Sequence, residues 1–218
     1  MKQLIAILLT FALSLLLLVA AIYIPATSTW VMQPLMERYA PSEATRLPAE
    51  EYAPVVKMIT RYLKGDDIVF QHIFTMNGTD YAAFNQKEQH HMADVQDLFR
   101  LCRVGGWACA GLVIVLGIIL RKDFPWRTVH RTLIGILAAV TIVIILACVD
   151  FSSLFVLFHK LAFTNDLWLL DPQTDLLIRL MPLEFFISYA AIIGCCWLLG
   201  MVGLLIYTIF RIKITEGE

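Results

Sequence analysis

Two short stretches hold the residues here that could do chemistry. "QKEQHHMADV", residues 86–95, sets two of the chain's five histidines side by side. Asp94 follows His91 by three positions and His90 by four, and on a helix both spacings allow a side-chain contact. "DFSSLFVLFHKLAFTNDLW", residues 150–168, carries Asp150, His159 and Asn165. An imidazole moves protons near neutral pH, and a nearby carboxylate fixes its tautomer and raises its basicity. Brought together, the two groups would make a general acid–base pair fit for acyl transfer at an ester. Glu88 has a simpler reading: with Asn85 as N-cap it completes a capping box.

Other chemistries find less support. Glu88 and His91 give half of a di-iron pattern without a second copy, and His90, His91, Asp94 and His159 lack the HExxH spacing of zinc enzymes. No metal and no cofactor is expected. Cys102, Cys109, Cys148, Cys195 and Cys196 lie in or beside apolar runs without a CxxC pair, as small apolar residues do. Ser152 and Ser153 offer hydroxyls for an acyl-enzyme, but no GxSxG elbow surrounds them. The net charge of -1 and the lack of a basic-aromatic patch exclude nucleic acid as a partner.

The elements that must position these residues follow from composition. Of the 218 residues 59% are hydrophobic and 16% charged, which points to a membrane α-helical protein. A hydrocarbon core of about 30 Å needs roughly 20 apolar residues. Four stretches qualify: Leu4–Ile24, Val104–Leu120, Leu133–Val149 and Ile187–Phe210. The first exceeds a signal-peptide core and reads as a retained anchor. Lys2, the group Arg121, Lys122, Arg127 and Arg131, and the pair Arg211 and Lys213 flank these spans on what must be one side, so both termini are expected to be cytoplasmic. The expected order is span one to residue 24, an extracytoplasmic subdomain at 25–103, span two at 104–120 and a cytoplasmic loop at 121–132. Span three at 133–149, an extracytoplasmic interfacial segment at 150–186, span four at 187–210 and a cytoplasmic tail at 211–218 complete it. His130 then falls in the cytoplasmic loop as a solvated residue.

Inside 25–103, Val55, Ile59, Tyr62 and Leu63 predict a helix from Pro54 to a stop at Gly65. "IVFQHIF", the turn Asn77-Gly78 and "TDYAAF" predict a β-hairpin. A helix capped by Asn85 runs toward span two, with a bend expected at Gly105-Gly106. Upright, it would lift His91 about 20 Å above the bilayer, so the chemistry requires it to lie along the surface or fold back. Asp150, at the outer end of span three, is a functional candidate because an ionisable group is costly there. Trp168 fits an interfacial aromatic belt. On the residues alone two classes stay open: an acyltransferase, or a non-enzymatic four-span sensor or assembly partner whose external histidines bind protons or metal.

"FNQKEQHHMADV" followed by "DFSSLFVLFHKLAFTNDLWLLDPQTDLLIRLMPLEFF" resembles the bacterial lipoprotein intramolecular transacylase (Lit) family of integral membrane proteins. The resemblance covers both outer segments and the four-span layout. It implies transfer of the sn-2 acyl chain of a membrane-anchored diacylated lipoprotein to the amino group of its N-terminal cysteine, giving a lyso-form lipoprotein, in the bacterial cytoplasmic membrane among its lipids. It also implies that the family's two key histidines fall on His91, followed by Met92 and Asp94, and on His159. His159 is then the expected base and His91 its acid partner or oxyanion donor. Asp94 and Asp150 would orient them, and Asn165 would assist at the oxyanion. The oligomeric state is left open.

Overall fold

The apolar runs become long helices. In the computed structural model, which describes residues 1–217, four helices are long and apolar enough to cross a membrane: α1 (Lys2–Ala26), α5 (Gln86–Leu120), α6 (Trp126–Val149) and α9, of which Leu183–Thr215 qualifies. Between α1 and α5 come α2 (Thr29–Tyr39), α3 (Ser42–Thr45), a 3₁₀ turn at Ala49–Glu51, α4 (Tyr52–Lys64) and the strands β1 (Ile73–Met76) and β2 (Thr79–Ala82). Between α6 and α9 come α7 (Phe151–Ala162) and α8 (Leu176–Leu180). The chain divides into two units. One comprises Met1–Ile22, Cys102–Phe151 and the chain from Ile192 onward; the other comprises Tyr23–Leu101 and Ser152–Ala191.

The first unit packs small residues and a few large ones. Ala6, Leu9, Leu120, Leu133, Trp197 and Met201 form its buried centre, and Trp197 donates its indole N–H to the Ser14 carbonyl at 3.0 Å. Helices in lipid associate through close packing and hydrogen bonds, because the solvent is as apolar as their side chains. Gly106 shows how close: a Cβ there would stand 3.1 Å from Val19 Cγ1. At one end of this unit Lys2 pairs with Asp123 at 2.7 Å, and Arg211 stacks over the Trp126 ring at 5.0 Å. His130 differs from expectation: its Nδ1 lies 2.9 Å from the Thr208 hydroxyl, a partner on α9 that a one-dimensional reading cannot see.

The second unit is built around α4. Its buried Val55, Val56 and Ile59 face α2, which contributes Val31, Met32 and Met36. Fully burying side chains of this size contributes about 1.5–3 kcal/mol each. The helix starts at Tyr52, two residues before the predicted Pro54; a proline in the first turn costs nothing there, since those N–H groups lack helical partners anyway. It ends as predicted at Gly65, at φ 87°, whose N–H bonds to Tyr62 O while Asp66 N–H bonds to Arg61 O. Asn77 and Gly78 both take positive φ, the two-residue turn that matches strand twist. The first strand is shorter than "IVFQHIF". Gln71 bonds the Phe84 N–H and carbonyl through its side-chain amide, replacing a ladder pair, and Phe70 turns in to meet Tyr62 edge-on and Phe84 at a tilt.

α5 continues through Gly105-Gly106 as one unbroken helix, so the fold-back that the sequence allows is absent from it. At about 1.5 Å per residue it is roughly 52 Å long, well beyond a 30 Å hydrocarbon core. Its polar first half, ahead of Val104, carries His91 and Asp94.

The two neighbouring glycines make a paired test. Overpacking costs about 1–3 kcal/mol. Gly106→Leu is expected to lower the thermal unfolding midpoint in detergent by several degrees. Gly105→Leu, where a Cβ would meet nothing within 4 Å, is expected to leave the midpoint near that of the unmutated protein.

Candidate active site

The site is assembled by caps. Asn85 Oδ1 accepts the Glu88 N–H at 3.0 Å, and Glu88 Oε2 accepts the Asn85 N–H at 2.7 Å, which is the predicted capping box. The other carboxylate oxygen does something the sequence did not disclose. Glu88 Oε1 accepts the N–H of Leu177, in the first turn of α8, at 2.6 Å. One carboxylate thus satisfies orphan donors at the starts of two helices. It is only 1% exposed, and burial raises its pKa while the N–H donors oppose the rise.

Asn85 extends the connection by donating its side-chain N–H to Asp175 Oδ1 at 2.7 Å. Asp175 also accepts from the Asp171 N–H and the Thr174 hydroxyl. Lys87 reaches the Leu169 carbonyl. These bonds fix the first turns of α5 against residues 169–177, and so fix His91 one turn further along.

From that frame His91 and His159 face each other, their ring centroids 6.3 Å apart. They are 7% and 8% exposed, whereas His90 points outward and is exposed. His91 is therefore the member of the pair that enters the site. Phe163 stands beside both rings, at 5.3 Å from His91 and 5.6 Å from His159. Phe155, Phe158 and Trp168 complete an aromatic enclosure around His159. Trp168, expected in an interfacial belt, lies with its ring centroid 5.1 Å from that of His159.

The two imidazoles differ in what holds them. His159 Nδ1 lies 2.7 Å from the Phe155 carbonyl one helical turn back, an acceptor only. That bond places the proton on Nδ1 and leaves the Nε2 lone pair to act as a base. His91 Nδ1 is enclosed without a hydrogen-bond partner. Burial lowers the pKa of both. It takes His91 to about 4, with His159 and Lys87 adding to the fall and Asp94 opposing it; for His159 the Phe155 carbonyl opposes it. Burial thus favours the neutral form of both rings.

Asp94 is placed differently from the helical-spacing reading. Its Oδ2 accepts the Asn165 side-chain N–H at 2.9 Å, and among the described residues no hydrogen bond joins it to either histidine. The spacing gives candidates on its own helix, while the partner chosen comes from the loop after α7. Asp150 ends α6 in the first unit and is exposed. His72, outside the site, pairs with Glu51 at 2.6 Å. An open groove of about 710 Å³ adjoins the imidazoles, lined by Val156, Lys160, Phe163, Asn165, Trp168 and Leu169 among others. Among the described residues no three His, Cys, Asp or Glu side chains gather to hold a metal ion.

Sequence reasoning missed Phe155, Phe163 and the reach of Glu88. Phe155 was within reach of it, because a histidine at i+4 on a helix can return to the carbonyl at i. The Leu177 contact spans 89 positions and leaves no local trace.

The family model for the lipoprotein intramolecular transacylase Lit matches residues 7–186. No curated protein matches the chain. Among solved structures, the in meso structure of the membrane integral lipoprotein intramolecular transacylase Lit from Bacillus cereus is similar, with a TM-score of 0.78 at 21% identity over 100% of this chain and 97% of that one. A Bacillus cereus variant with a histidine replaced by alanine gives 0.78 at 21% identity over 100% and 96%, and one with a histidine replaced by arginine gives 0.77 at 21% over 99% and 94%. At this identity the structural likeness shows a shared fold.

Removing a buried acceptor leaves donors unsatisfied at about 1–3 kcal/mol each. Glu88→Ala is expected to cost about 2–5 kcal/mol and Glu88→Gln about half that, because an amide has one accepting oxygen. Thermal unfolding in detergent checks both.

Proposed function

Since the chain belongs to the Lit family of lipoprotein intramolecular transacylases, we propose that His159 and His91 are the pair that carries its acyl transfer. The protein is a membrane-integral acyltransferase of lipoprotein modification. In this reading the donor is the sn-2 ester of a diacylated lipoprotein and the acceptor is the α-amine of its N-terminal cysteine. The observation that supports it most is the meeting of two buried imidazoles from separate segments, one with its tautomer set and one with an unsatisfied ring nitrogen.

Holding amine and ester in one molecule supplies much of the rate by proximity. The amine nitrogen attacks the ester carbonyl carbon, and His159 Nε2 takes a proton from it. The tetrahedral adduct collapses as the carbonyl carbon–glycerol oxygen bond breaks, and the imidazolium returns the proton to that oxygen. His91 donates a hydrogen bond to the oxyanion or protonates the leaving group, with the enclosure excluding competing water. Asn165, at the groove wall, assists at the oxyanion. Asp150 stays in the proposed set as an orienting carboxylate on position alone. The exposed apolar side chains Leu157, Phe158 and Leu161 on α7 suit contact with membrane lipids at the acyl level.

The proposed setting is the bacterial cytoplasmic membrane, with both termini inside and the site on the extracytoplasmic face. The basic flanks support it: Lys2 and Asp123 meet, as do Trp126 and Arg211, and each site-bearing segment lies one apolar helix away along the chain. Segments 25–103 and 150–186 are then the extracytoplasmic portions.

An acyl-enzyme on serine is disfavoured by helix geometry. Ser152 and Ser153 precede His159 by seven and six residues on α7, an axial separation of about 9–10.5 Å. That exceeds a hydrogen bond by a wide margin.

The transfer conserves intact mass, so the readout is the position of the acyl chain. With purified protein and a diacylated lipopeptide, tandem mass spectrometry is expected to find an acyl amide on the N-terminal cysteine and one ester fewer. His159→Ala and His91→Ala should each lower the rate at least about 100-fold, the usual scale for a general acid–base group. An unmodified N-terminus with the unmutated protein would remove the reading. Replacing both Ser152 and Ser153 with alanine is expected to leave turnover near its starting level.

The pH profile follows from the lowered histidine pKa values. The base must be neutral, and its neutral form persists until pH falls through the lowered value. The substrate's α-amine contributes its own limb to kcat/KM at about 7.7–8.0. Once that ionisation is divided out, the enzyme's acid limb is expected below the ordinary 6.5, and an enzyme limb at or above 6.5 would contradict a buried His159 base.

A further inference from the structure

We propose that Asp94 is the seat of the substrate's α-ammonium, a positioning contact on the acceptor rather than an orienting carboxylate for a histidine. The inference rests on the acyl-transfer reading above and adds to it which group receives the incoming amine. An N-terminal amine has a pKa of about 7.7–8.0, so near neutrality it arrives mostly as a cation. A neutral imidazole pair has no charge with which to capture it.

Asp94 has the required features. It is half-buried on α5, three residues beyond His91 and close enough to oppose that ring's loss of basicity. Asn165 Nδ2 occupies its Oδ2 at 2.9 Å, and Asn165 itself lines the groove that adjoins the imidazoles. No lysine, arginine or histidine stands within ion-pairing distance of it among the described residues. Lys87, on the same helix, is engaged with the Leu169 carbonyl. The groove's own charges, Lys160 and Asp166, are exposed and opposite in sign. Asp94 is thus a carboxylate without a countercharge beside the reacting centre, with one oxygen held in orientation by Asn165. A primary ammonium, a compact donor of three hydrogen bonds, is the ligand that completes it.

The proton balance is consistent. The ammonium bound at Asp94 gives one proton to water on becoming a nucleophile. Its second proton leaves the tetrahedral adduct through His159 and goes to the glycerol oxygen. The sum is ammonium plus ester giving amide, alcohol and one released proton.

The test uses binding, so it does not depend on turnover. Two inert lipopeptide probes carry ether-linked chains in place of both esters; one has the free α-amine and the other an uncharged hydroxyl at the same carbon. At pH 7 the full-length protein in nanodiscs is expected to bind the amine probe about fivefold more tightly, the scale of a partly exposed ion pair. Asp94→Asn keeps an acceptor for Asn165 and removes the charge; it is expected to abolish the preference while leaving the hydroxyl probe's affinity unchanged. Asn165→Ala keeps the charge and is expected to keep the preference. A preference that survives Asp94→Asn, an equal loss for both probes in that variant, or a preference lost in Asn165→Ala would each overturn the proposal. Failure of the acyl-transfer reading would show separately, as absence of transfer when the unmutated protein is given its ester substrate.

Discussion

A carboxylate has two oxygens, and in Glu88 they serve different parts of the fold. One accepts the N–H of Asn85 and closes the start of α5; the other accepts the N–H of Leu177 and closes the start of α8. Both donors would otherwise be orphaned in a region with little water, so each bond matters more for the penalty it avoids than for its own net strength. The arrangement sets the rotation and height of α5 against the segment after α7. Since His91 lies three residues beyond Glu88, that side chain, with the Asn85–Asp175 and Lys87–Leu169 bonds beside it, sets where the first imidazole stands.

Burial then does the electrochemical part. An aromatic enclosure around His159 withdraws it and His91 from water, which disfavours charge on both rings. Two neutral rings can pass a single proton between substrate atoms, whereas two imidazoliums this close would repel. The Phe155 carbonyl settles which nitrogen of His159 is basic. The same surroundings that favour neutral bases leave them without charge for binding, and the nearby Asp94 carboxylate, held by Asn165 but without a countercharge, supplies one.

What the sequence could show was what is encoded locally. The apolar lengths specify the four long helices, the Asn85–Glu88 spacing specifies a cap, and Asn77-Gly78 specifies a turn. The two histidines stand out because so little else in the chain is ionisable and apolar-flanked at once. α2 leaves no clear signal, since Pro34 and the polar residues around it blur a pattern in which only Val31, Met32 and Met36 are buried. One dimension offers Asp94 only the neighbours on its own helix, while its partner is Asn165, 71 positions away. Gln71 shortened a strand by offering a side-chain amide in place of backbone, a substitution no propensity anticipates.

The bonds that join Asn85 to Asp175 and Glu88 to Leu177 span 90 and 89 positions. A ribosome adding roughly 5–20 residues per second takes on the order of ten seconds to cover that interval. For 68 of those positions, from His91 to His159, the first histidine has been made and its counterpart does not yet exist. The nascent polypeptide therefore has no functional centre until residues 159–177 are made.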